Sequence, residues 1–221
     1  MFKRITDILL SGIAIIVFFP IGLLIAIILK LTGERCVFYV QERVGKDGRI
    51  FGLLKFATML KNSPNMKGAY ITSKNDPRIL PFGKFLRKTK LNEVPQLINV
   101  LKGDMSVVGP RPQVQKHLDM YPDLLRQEVI KIKPGLTGIG SIVFRDEESL
   151  LEKASVPKET FYKDVIAPFK AELEIWYIKN QSFWLDIQLI FITAWVILFT
   201  DSQLYTRLFT TLPKLNSSIR P

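Results

Sequence analysis

The sequence contains very little cysteine and histidine. Cys36 and His117 are the single residues of their types among 221. One cysteine excludes an intrachain disulfide framework, and one cysteine with one histidine excludes the usual zinc clusters. A Ser-His-Asp triad would have to be built on His117, and nothing near it in sequence indicates one. There is also no Walker A motif, and Gly138-Ile-Gly140 lacks the third glycine of a dinucleotide fingerprint.

Acidic residues are scarce in one segment of the chain. Lys and Arg total 31 against 20 Asp and Glu, and residues 43–90 hold twelve basic but only two acidic side chains. Such a block must face an anionic partner or repel itself. The phosphate groups of lipids, nucleotides or nucleic acids are the candidates. Hydrophobic residues make up 48% of the chain, which argues against disorder.

A long uncharged apolar run, Ile8 to Leu29, lies near the N-terminus. As a helix it would measure roughly 33 Å, enough to cross a bilayer core. Pro20 removes a backbone donor in its middle, which kinks or breaks a helix. Basic residues flank both ends and favour the cytoplasmic side for each: Lys3, Arg4, Lys30 and Arg35. These observations predict a re-entrant helix-break-helix hairpin, with a Pro-kinked single-pass helix as the alternative.

The rest of the chain predicts a mostly helical α+β domain. Two apolar runs joined by Gly45-Lys-Asp-Gly48 indicate a β-hairpin. Loops are expected over 62–81, with a turn at Asn75-Asp-Pro77, over 107–112 and over 133–140. Helices are expected over 82–90, 95–102 (ended by Gly103), 113–131 (interrupted near Pro122), 146–154 and 158–180.

The apolar segment 183–200 does not look like a membrane span. It carries Asp186 and Gln188, and its uncharged part is too short for a comfortable crossing. Because tryptophans lie in and near it, the segment is either an interfacial, membrane-docked helix or a buried core helix.

A phosphate site is predicted around Asn92 and Glu93. Arg87 and Lys88 precede this pair, which stands just ahead of Pro95 at a helix start, where free N–H groups favour an anion. Glu93 supplies carboxylate oxygens of the kind that magnesium prefers. Each residue also has a purely structural interpretation, as a helix cap, a dipole partner or part of a solvated basic face.

A second phosphate-binding group is predicted at Pro110-Arg-Pro112, which Lys102 precedes. Two prolines fix this loop, so Arg111 is presented with little entropy cost and offers a planar fork for phosphate oxygens. The alternative is that Arg111 closes a tight turn.

Several motifs occur together in one order: Lys3-Arg-Ile-Thr-Asp7, Gln41-Glu-Arg-Val-Gly45, Lys55-Phe-Ala-Thr-Met59, the stretch 92–112, and Lys133-Pro-Gly-Leu-Thr-Gly138. Over roughly residues 1–200 the chain resembles the bacterial sugar transferase family, the monotopic polyprenyl-phosphate phosphoglycosyl transferases, in its minimal form. The resemblance implies a re-entrant anchor over 1–35, a cytoplasmic transferase domain over 36–200 and a C-terminal tail over 201–221. Lys3, Arg4, Asp7 and Pro20 then belong to the anchor.

The resemblance also implies a function. Such enzymes transfer a phospho-sugar from a UDP-sugar to undecaprenyl phosphate at the cytoplasmic face of the bacterial inner membrane. They start lipopolysaccharide or exopolysaccharide assembly, and inner-membrane lipids and downstream glycosyltransferases are expected partners. They use magnesium (Mg2+) and a covalent route, in which an Asp carboxylate attacks the sugar-linked phosphate, the nucleoside monophosphate leaves, and the lipid phosphate attacks the phospho-enzyme.

The resemblance implies that position 92 holds the nucleophile and that Glu93 serves the metal. With the residue-level argument above, the candidate catalytic residues are Asn92, Glu93 and Arg87, and Glu93 is the candidate metal ligand. The candidate residues for phosphate and nucleotide binding are Lys88, Lys102, Pro110, Arg111 and Pro112.

Asn92 departs from the family pattern, because the family has its nucleophilic Asp there. An amide cannot attack as a carboxylate does, so three interpretations are open. Glu93 takes the nucleophile's role, or the lipid phosphate attacks directly, or the protein is inactive. A second departure is Phe19, where the family commonly has Ser before the proline, although the break at Pro20 is still expected.

Two other protein classes compete with the transferase. Asn92 favours an inactive, membrane-anchored scaffold or phospholipid-binding protein. The basic block suggests nucleic-acid binding, but it lacks interleaved aromatics for base stacking and leaves the anchor unexplained. We therefore expect no nucleic-acid partner.

Overall fold

The computed structural model describes residues 2–66, 76–199 and 202–213. The chain divides into two compact units, one of Met1–Glu42 with Gly52–Gly103 and the other of Arg43–Phe51 with Asp104–Pro221. Helices predominate and the sheets are small, which confirms the mostly helical α+β class. The predicted turn at Asn75 and part of the predicted tail lie outside the described residues.

The first unit holds these elements: α1 (Phe2–Leu31), β1 (Phe38–Val44), β2 (Ile50–Phe56), α2 (Pro81–Lys88) and α3 (Gln96–Lys102). Strands β1 and β2 form the predicted hairpin, whose tip, residues 43–51, belongs to the second unit. At the tip, Asp47 and Gly48 both have positive φ, which matches the predicted glycine turn. Gly103 ends α3 in the left-handed conformation, as predicted.

Helix α1 runs without interruption through Pro20. The predicted break is therefore wrong as an end of helical structure. A proline removes only one backbone donor, and the apolar residues on both sides continue to favour helix. Of the described helices, α1 is long and apolar enough to cross a membrane, and little of it is covered by protein. Whether it re-enters or spans stays a prediction.

The core of the first unit forms at the C-terminal end of α1. Ile25 and Leu29 pack with Phe56 of β2 and Leu86 of α2, and all four side chains are buried. Apolar residues in the middle of α1 such as Val17 remain exposed. The end of α1 thus serves as part of a protein core, whereas its middle has the surface of a membrane segment.

The second unit holds these elements: β3 (Ser106–Val108), α4 (Gln115–Leu118), α5 (Asp123–Val129), β4 (Gly135–Thr137), α6 (Ile139–Val143), α7 (Glu147–Glu152), α8 (Lys158–Phe161), α9 (Ala167–Asn180), α10 (Phe183–Leu198) and α11 (Leu204–Leu208). A π-helical turn, Tyr162–Ile166, joins α8 to α9. The predicted helices over 113–131, with their interruption near Pro122, over 146–154 and over 158–180 are confirmed. Helix α9 packs against α5 and α6, and α10 packs against α6, β3 and β4.

Strands β3 and β4 run parallel, with Ser106 opposite Gly135 and Val108 opposite Thr137. The prediction of irregular loops over 107–112 and 133–140 is therefore wrong at these two short strands. They form because glycines let the two backbones approach closely. A Cβ atom on Gly138 would lie 2.2 Å from the carbonyl oxygen of Gly109.

Helix α10 has one buried face and one exposed apolar face. Leu189 and Ile192 on one face are fully buried, which confirms the core interpretation for that face. Trp184 and Leu198 are 73% and 75% exposed, so the opposite side remains apolar and open. The interfacial interpretation stays a prediction for that side.

Candidate active site

The turn between α2 and α3 carries the predicted catalytic residues. Arg87 and Lys88 end α2, and a 3-10 turn, Leu91–Glu93, holds Asn92 and Glu93. Between them, Lys90 takes a left-handed conformation, and its carbonyl oxygen accepts a hydrogen bond from the Glu93 N–H at 3.0 Å. This turn belongs to the first unit and brings Arg87, Asn92 and Glu93 onto one short connection.

Asn92 is buried in an unusual way. Its side chain is 7% exposed, and its Oδ1 atom accepts no hydrogen bond. A buried carbonyl oxygen without a donor costs free energy, so such an atom usually has a partner. The side chain at position 92 is thus suited to receive a cation or a donor from a bound molecule.

The residues of this turn fit a magnesium ion in part. Asn92 Oδ1 and the Glu93 carboxylate are oxygen donors, the type that magnesium takes. No group of three or more His, Cys, Asp or Glu within the described residues is placed to hold a metal. The protein would supply only one or two ligands, and substrate phosphate and water would complete the shell, as is common for magnesium.

Lys102 lies at the far end of α3 from Asn92. Helix α3 has seven residues, Gln96–Lys102, which places Lys102 about 10 Å along the helix axis from the turn. Its side chain is exposed. The structure therefore does not gather Lys102 with Asn92 and Glu93, and its phosphate-binding role stays a prediction.

The N-terminal end of α1 supports α3. The guanidinium of Arg4 donates to the carbonyl oxygens of Val100 and Leu101 at 2.5 and 2.6 Å. Asp7 is buried, and its carbonyl oxygen accepts a hydrogen bond from the Ser11 hydroxyl at 2.5 Å. Arg4 and Asp7, predicted as anchor residues, thus also belong to the packing of the first unit.

Asn99 fixes α3 from its other side. Its Oδ1 accepts the N–H of Leu54 at 3.0 Å, and its Nδ2 donates to the carbonyl oxygen of Gly52 at 2.8 Å. Sequence analysis gave Asn99 no role, because an amide inside a short helix has no distinctive local signal.

The Pro110-Arg111-Pro112 loop lies in the second unit, between β3 and α4. Both prolines are buried, and Arg111 is half-buried. The carbonyl oxygen of Pro110 accepts the Gly135 N–H at 2.8 Å. That of Pro112 accepts from Nη1 of Arg43 at 2.9 Å. The loop is fixed as the prolines predicted.

A small pocket adjoins this loop. Its walls are mostly apolar and include Val44, Leu118 and Val129, and Pro110 and Arg111 border it. Arg111 is the charged residue of its lining. The space it encloses is about 20 Å³, room for roughly one water molecule and too little for a nucleotide base.

A buried polar cluster lies in the same unit and was missed by the sequence analysis. Lys170 and Glu174, one turn apart on α9, are each 2% exposed. Lys170 Nζ contacts Oε2 of Glu147 at 2.5 Å and lies 5.1 Å from the Tyr162 ring centroid. Oε1 of Glu174 accepts the Arg111 N–H at 3.2 Å. Charged residues at helical spacing usually form a solvated face, so the sequence alone gave no reason to place these inside.

Burial shifts the pKa values of Glu174 and His117 in opposite directions. Burial raises the pKa of Glu174 to about 7, although the nearby Arg111 N–H and the Lys170 charge act in the opposite direction. Burial lowers the pKa of His117 to about 4, and the positive charge of Lys170 adds to that shift. The His117 ring packs against the Tyr162 ring in a tilted arrangement, with centroids 4.5 Å apart. The cluster thus holds a carboxyl group that titrates near neutrality.

The chain matches the bacterial sugar transferase family over residues 1–200. It belongs to that family. This confirms the resemblance drawn from the motifs, which include the turn at Asn92 and the loop at Arg111.

Several relatives of known name lie within this family. The UDP-glucose:undecaprenyl-phosphate glucose-1-phosphate transferase of Klebsiella pneumoniae is 39% identical over 196 residues, 87% of this chain. The UDP-N-acetylgalactosamine-undecaprenyl-phosphate N-acetylgalactosaminephosphotransferase of Aeromonas hydrophila is 36% identical over 200 residues, 89% of this chain. The chain spans only 39% and 43% of the lengths of these two proteins.

The exopolysaccharide production protein ExoY of Rhizobium meliloti is similar to this chain over most of both lengths. It is 32% identical over 207 residues, which are 87% of this chain and 84% of ExoY.

Proposed function

We propose that this protein transfers a phospho-sugar from a UDP-sugar to undecaprenyl phosphate. The observation that carries the proposal is the similarity, over most of the chain, to relatives named as UDP-sugar:undecaprenyl-phosphate transferases. The apolar helix α1 supports a place at the membrane, and the basic flanks Lys3 and Arg4 favour the cytoplasmic face of the inner membrane. The product would enter glycan assembly and pass to downstream glycosyltransferases.

In this proposal Arg111 binds the nucleotide diphosphate. Its loop is immobilised by two prolines and by hydrogen bonds at both of their carbonyl oxygens, so little entropy is lost when a ligand binds. A guanidinium matches phosphate oxygens with two parallel hydrogen bonds.

Glu93 and Arg87 handle the transferring phosphate. Magnesium, when bound by Glu93 with the Asn92 oxygen, would supply charge neutralisation for a phosphate group at this turn. Arg87, at the end of α2, would contact the phosphate. The phosphorus–oxygen bond to the nucleoside monophosphate breaks, and the incoming bond comes either from a Glu93 carboxylate oxygen or from the lipid phosphate. In the first case the lipid phosphate then displaces Glu93, which returns as a free carboxylate.

A second function is favoured by one observation, the amide at position 92. With Asn92 where the family has its nucleophilic carboxylate, the chain would be an inactive, membrane-anchored family member that still binds phosphates. An active transferase and an inactive family member would both bind the ligands, but only the first would transfer the phospho-sugar.

The experiment uses the full chain in lipid nanodiscs with undecaprenyl phosphate, magnesium and a panel of radiolabelled UDP-sugars. Release of UMP and formation of lipid-linked phospho-sugar are measured for the wild type, Asn92→Asp and Glu93→Gln. Transfer by the wild type supports the proposal, and transfer only by Asn92→Asp supports the inactive form. If the wild type and Asn92→Asp both bind UDP-sugars but neither transfers any sugar, the transferase proposal is wrong.

A further inference from the structure

We propose that Glu174 is a positioning residue of the Arg111 loop, and that its carboxyl group takes up a proton when a nucleotide diphosphate binds to Arg111. The inference rests on the proposed function in one respect, the binding of a nucleotide diphosphate at Arg111. It assigns the control of that loop to a buried residue on α9.

The loop has one backbone donor, and Glu174 binds it. Pro110 and Pro112 carry no N–H, so Arg111 provides the single N–H of the three residues. That N–H donates to Oε1 of Glu174 at 3.2 Å. Removing this acceptor would leave a half-buried donor without its partner at the base of the side chain that is to bind phosphate.

The fold reserves space for this carboxyl group. A Cβ atom on Gly140 would lie 2.3 Å from Oε1 of Glu174, so only glycine fits at the start of α6 without displacing the carboxyl group. The side chain of Glu174 is 2% exposed. The absence of a side chain at Gly140 thus leaves room for the carboxyl group of Glu174 where it lies.

The second oxygen of Glu174 is suited to hold a proton. Oε2 is buried and has no hydrogen-bond partner. A buried carboxylate with one N–H partner is poorly compensated, and burial raises the pKa of Glu174 to about 7. Both protonation states are thus accessible near neutrality.

The groups that face Glu174 make its protonation sensitive to a ligand. Arg111 and Lys170 are the cations that favour its carboxylate form, and the phenols of Tyr121 and Tyr177 are the other titratable neighbours. Lys170 is paired with Glu147, and the charge of Arg111 acts on both Glu147 and Glu174. When the diphosphate neutralises Arg111, the carboxylate loses its support and a proton from solvent binds Oε2. No covalent bond changes.

The test is isothermal titration calorimetry of UDP-glucose and UDP-N-acetylgalactosamine binding to the full chain in nanodiscs at pH 7. Neither ligand's diphosphate titrates near neutrality, so they carry no proton change of their own. Binding enthalpies are compared in PIPES and Tris buffers, whose ionisation enthalpies differ widely and which contain no phosphate to compete at Arg111. We expect a buffer-dependent enthalpy that corresponds to uptake of a few tenths of a proton per ligand bound.

Variants separate the positioning role from the titration. Glu174→Gln keeps an oxygen for the Arg111 N–H, so its affinity should stay within about threefold of the wild type while proton uptake disappears. Glu174→Leu removes the acceptor and should weaken binding tenfold or more. Glu128→Gln, which alters an exposed pair with Lys131, is the matched control and should change neither quantity.

The outcomes are distinguishable. If proton uptake persists in Glu174→Gln, Glu174 is not the group that takes up the proton. If a folded Glu174→Leu binds with wild-type affinity, Glu174 does not position the Arg111 loop. If Glu174→Leu does not fold, the Glu174→Gln comparison still decides the titration. Absence of nucleotide binding in the wild type overturns the proposed function itself.

Discussion

Arg4 donates a hydrogen bond to the carbonyl oxygen of Val100 at 2.5 Å, across 96 positions of sequence. A second bond reaches the next carbonyl, that of Leu101. Carbonyls in the last turn of a helix have no partner within the helix, so the guanidinium satisfies two of those that end α3. The apolar helix α1 is thereby fastened to the helix that follows the Asn92 turn.

The first prediction concerns this contact. Arg4→Ala should lower the free energy of unfolding of the first unit by about 1–2 kcal/mol, because two charge-assisted hydrogen bonds are lost at a partly exposed site. The measurement is denaturant unfolding in detergent, followed by far-UV circular dichroism.

Arg4→Lys is the matched control for this prediction. It keeps the positive charge that favours the cytoplasmic side but cannot contact both carbonyls with a planar fork. We expect a smaller loss of stability and unchanged membrane topology. Equal stability of Arg4→Ala and the wild type would show that the contact contributes nothing.

The sequence predicted a role for Arg4 only because this residue lies beside the apolar run of α1. A basic residue beside an apolar run indicates membrane orientation, and nothing in the local pattern points to a helix 96 positions away. The hairpin tip at Gly48 and the helix end at Gly103 were predicted because their signals are local, since glycine adopts positive φ without strain. Turns that depend on local residues could be predicted from the sequence, whereas contacts between distant segments could not.

The second prediction concerns Gly138. Gly138→Ala should destabilise the second unit by about 3 kcal/mol or more, because its Cβ would lie 2.2 Å from the Gly109 carbonyl oxygen and would force β3 and β4 apart. Gly12→Ala is the matched control, since nothing lies within 4 Å of a Cβ there. Alanine also favours helix, so Gly12→Ala should be neutral or slightly stabilising. Comparable thermal unfolding of the two variants would contradict the close approach.

Strands β3 and β4 show why part of the fold escaped prediction. Each has three residues, Ser106–Val108 and Gly135–Thr137, too few for an alternating pattern. Prolines and glycines around them indicate loops when read locally. Their pairing depends on close backbone contact between segments about 30 positions apart, which the sequence records only as glycines.

The third prediction is that two buried groups oppose each other in the pH dependence of stability. The pKa of His117 is lowered to about 4, so between pH 6.5 and 4 the unfolded chain binds a proton that the folded chain does not. Stability from His117 therefore falls as pH falls through this window. The pKa of Glu174 is raised to about 7, so its folded form binds the extra proton, and its contribution falls as pH rises from 4.5 to 7.

Single variants should expose each slope. His117→Gln leaves Glu174 alone, so stability should decrease as pH rises from 5 to 7. Glu174→Gln leaves His117, which faces the cations Lys170, Arg43 and Lys116 and the carboxylate of Glu147, so stability should increase over the same range up to pH 6.5. The wild type should be flatter than either variant in denaturant unfolding at pH 5, 6 and 7. Parallel slopes in all three proteins would contradict the two pKa shifts.

The candidate site residues come from family motifs, and their roles stay predictions. The residues near Asn92 and Arg111 carry family motifs, and the structure places them on a short turn and on a proline-fixed loop. Glu174 was not predicted, because its importance comes from burial on α9 and from one hydrogen bond across 63 positions. A supporting group such as Glu174 becomes evident only from the packing of the folded chain.

The last prediction concerns Asn92→Asp. Asn92 is 7% exposed and its Oδ1 lacks a hydrogen-bond partner, so a carboxylate there would be poorly compensated in the ligand-free protein. A magnesium ion held with Glu93 would supply the missing compensation. We therefore expect magnesium to raise the melting temperature of Asn92→Asp more than that of the wild type. The reference for each protein is its melting temperature in magnesium-free buffer with EDTA. Glu93→Gln in the same background should remove most of this gain.

Activity should follow the same substitution. By the covalent route, a carboxylate at position 92 attacks phosphorus where an amide cannot, so Asn92→Asp should raise phospho-sugar transfer on the order of 10³-fold or more. A phospho-sugar adduct should then be trapped at residue 92 and identified by mass spectrometry. If the wild type is already fully active, an adduct on Glu93 assigns the attack to that carboxylate, and full activity without an adduct assigns it to the lipid phosphate. An Asn92→Asp protein that binds magnesium and UDP-sugar yet transfers nothing would leave the chain as a phosphate-binding membrane protein, because the attacking group would then be present and still without effect.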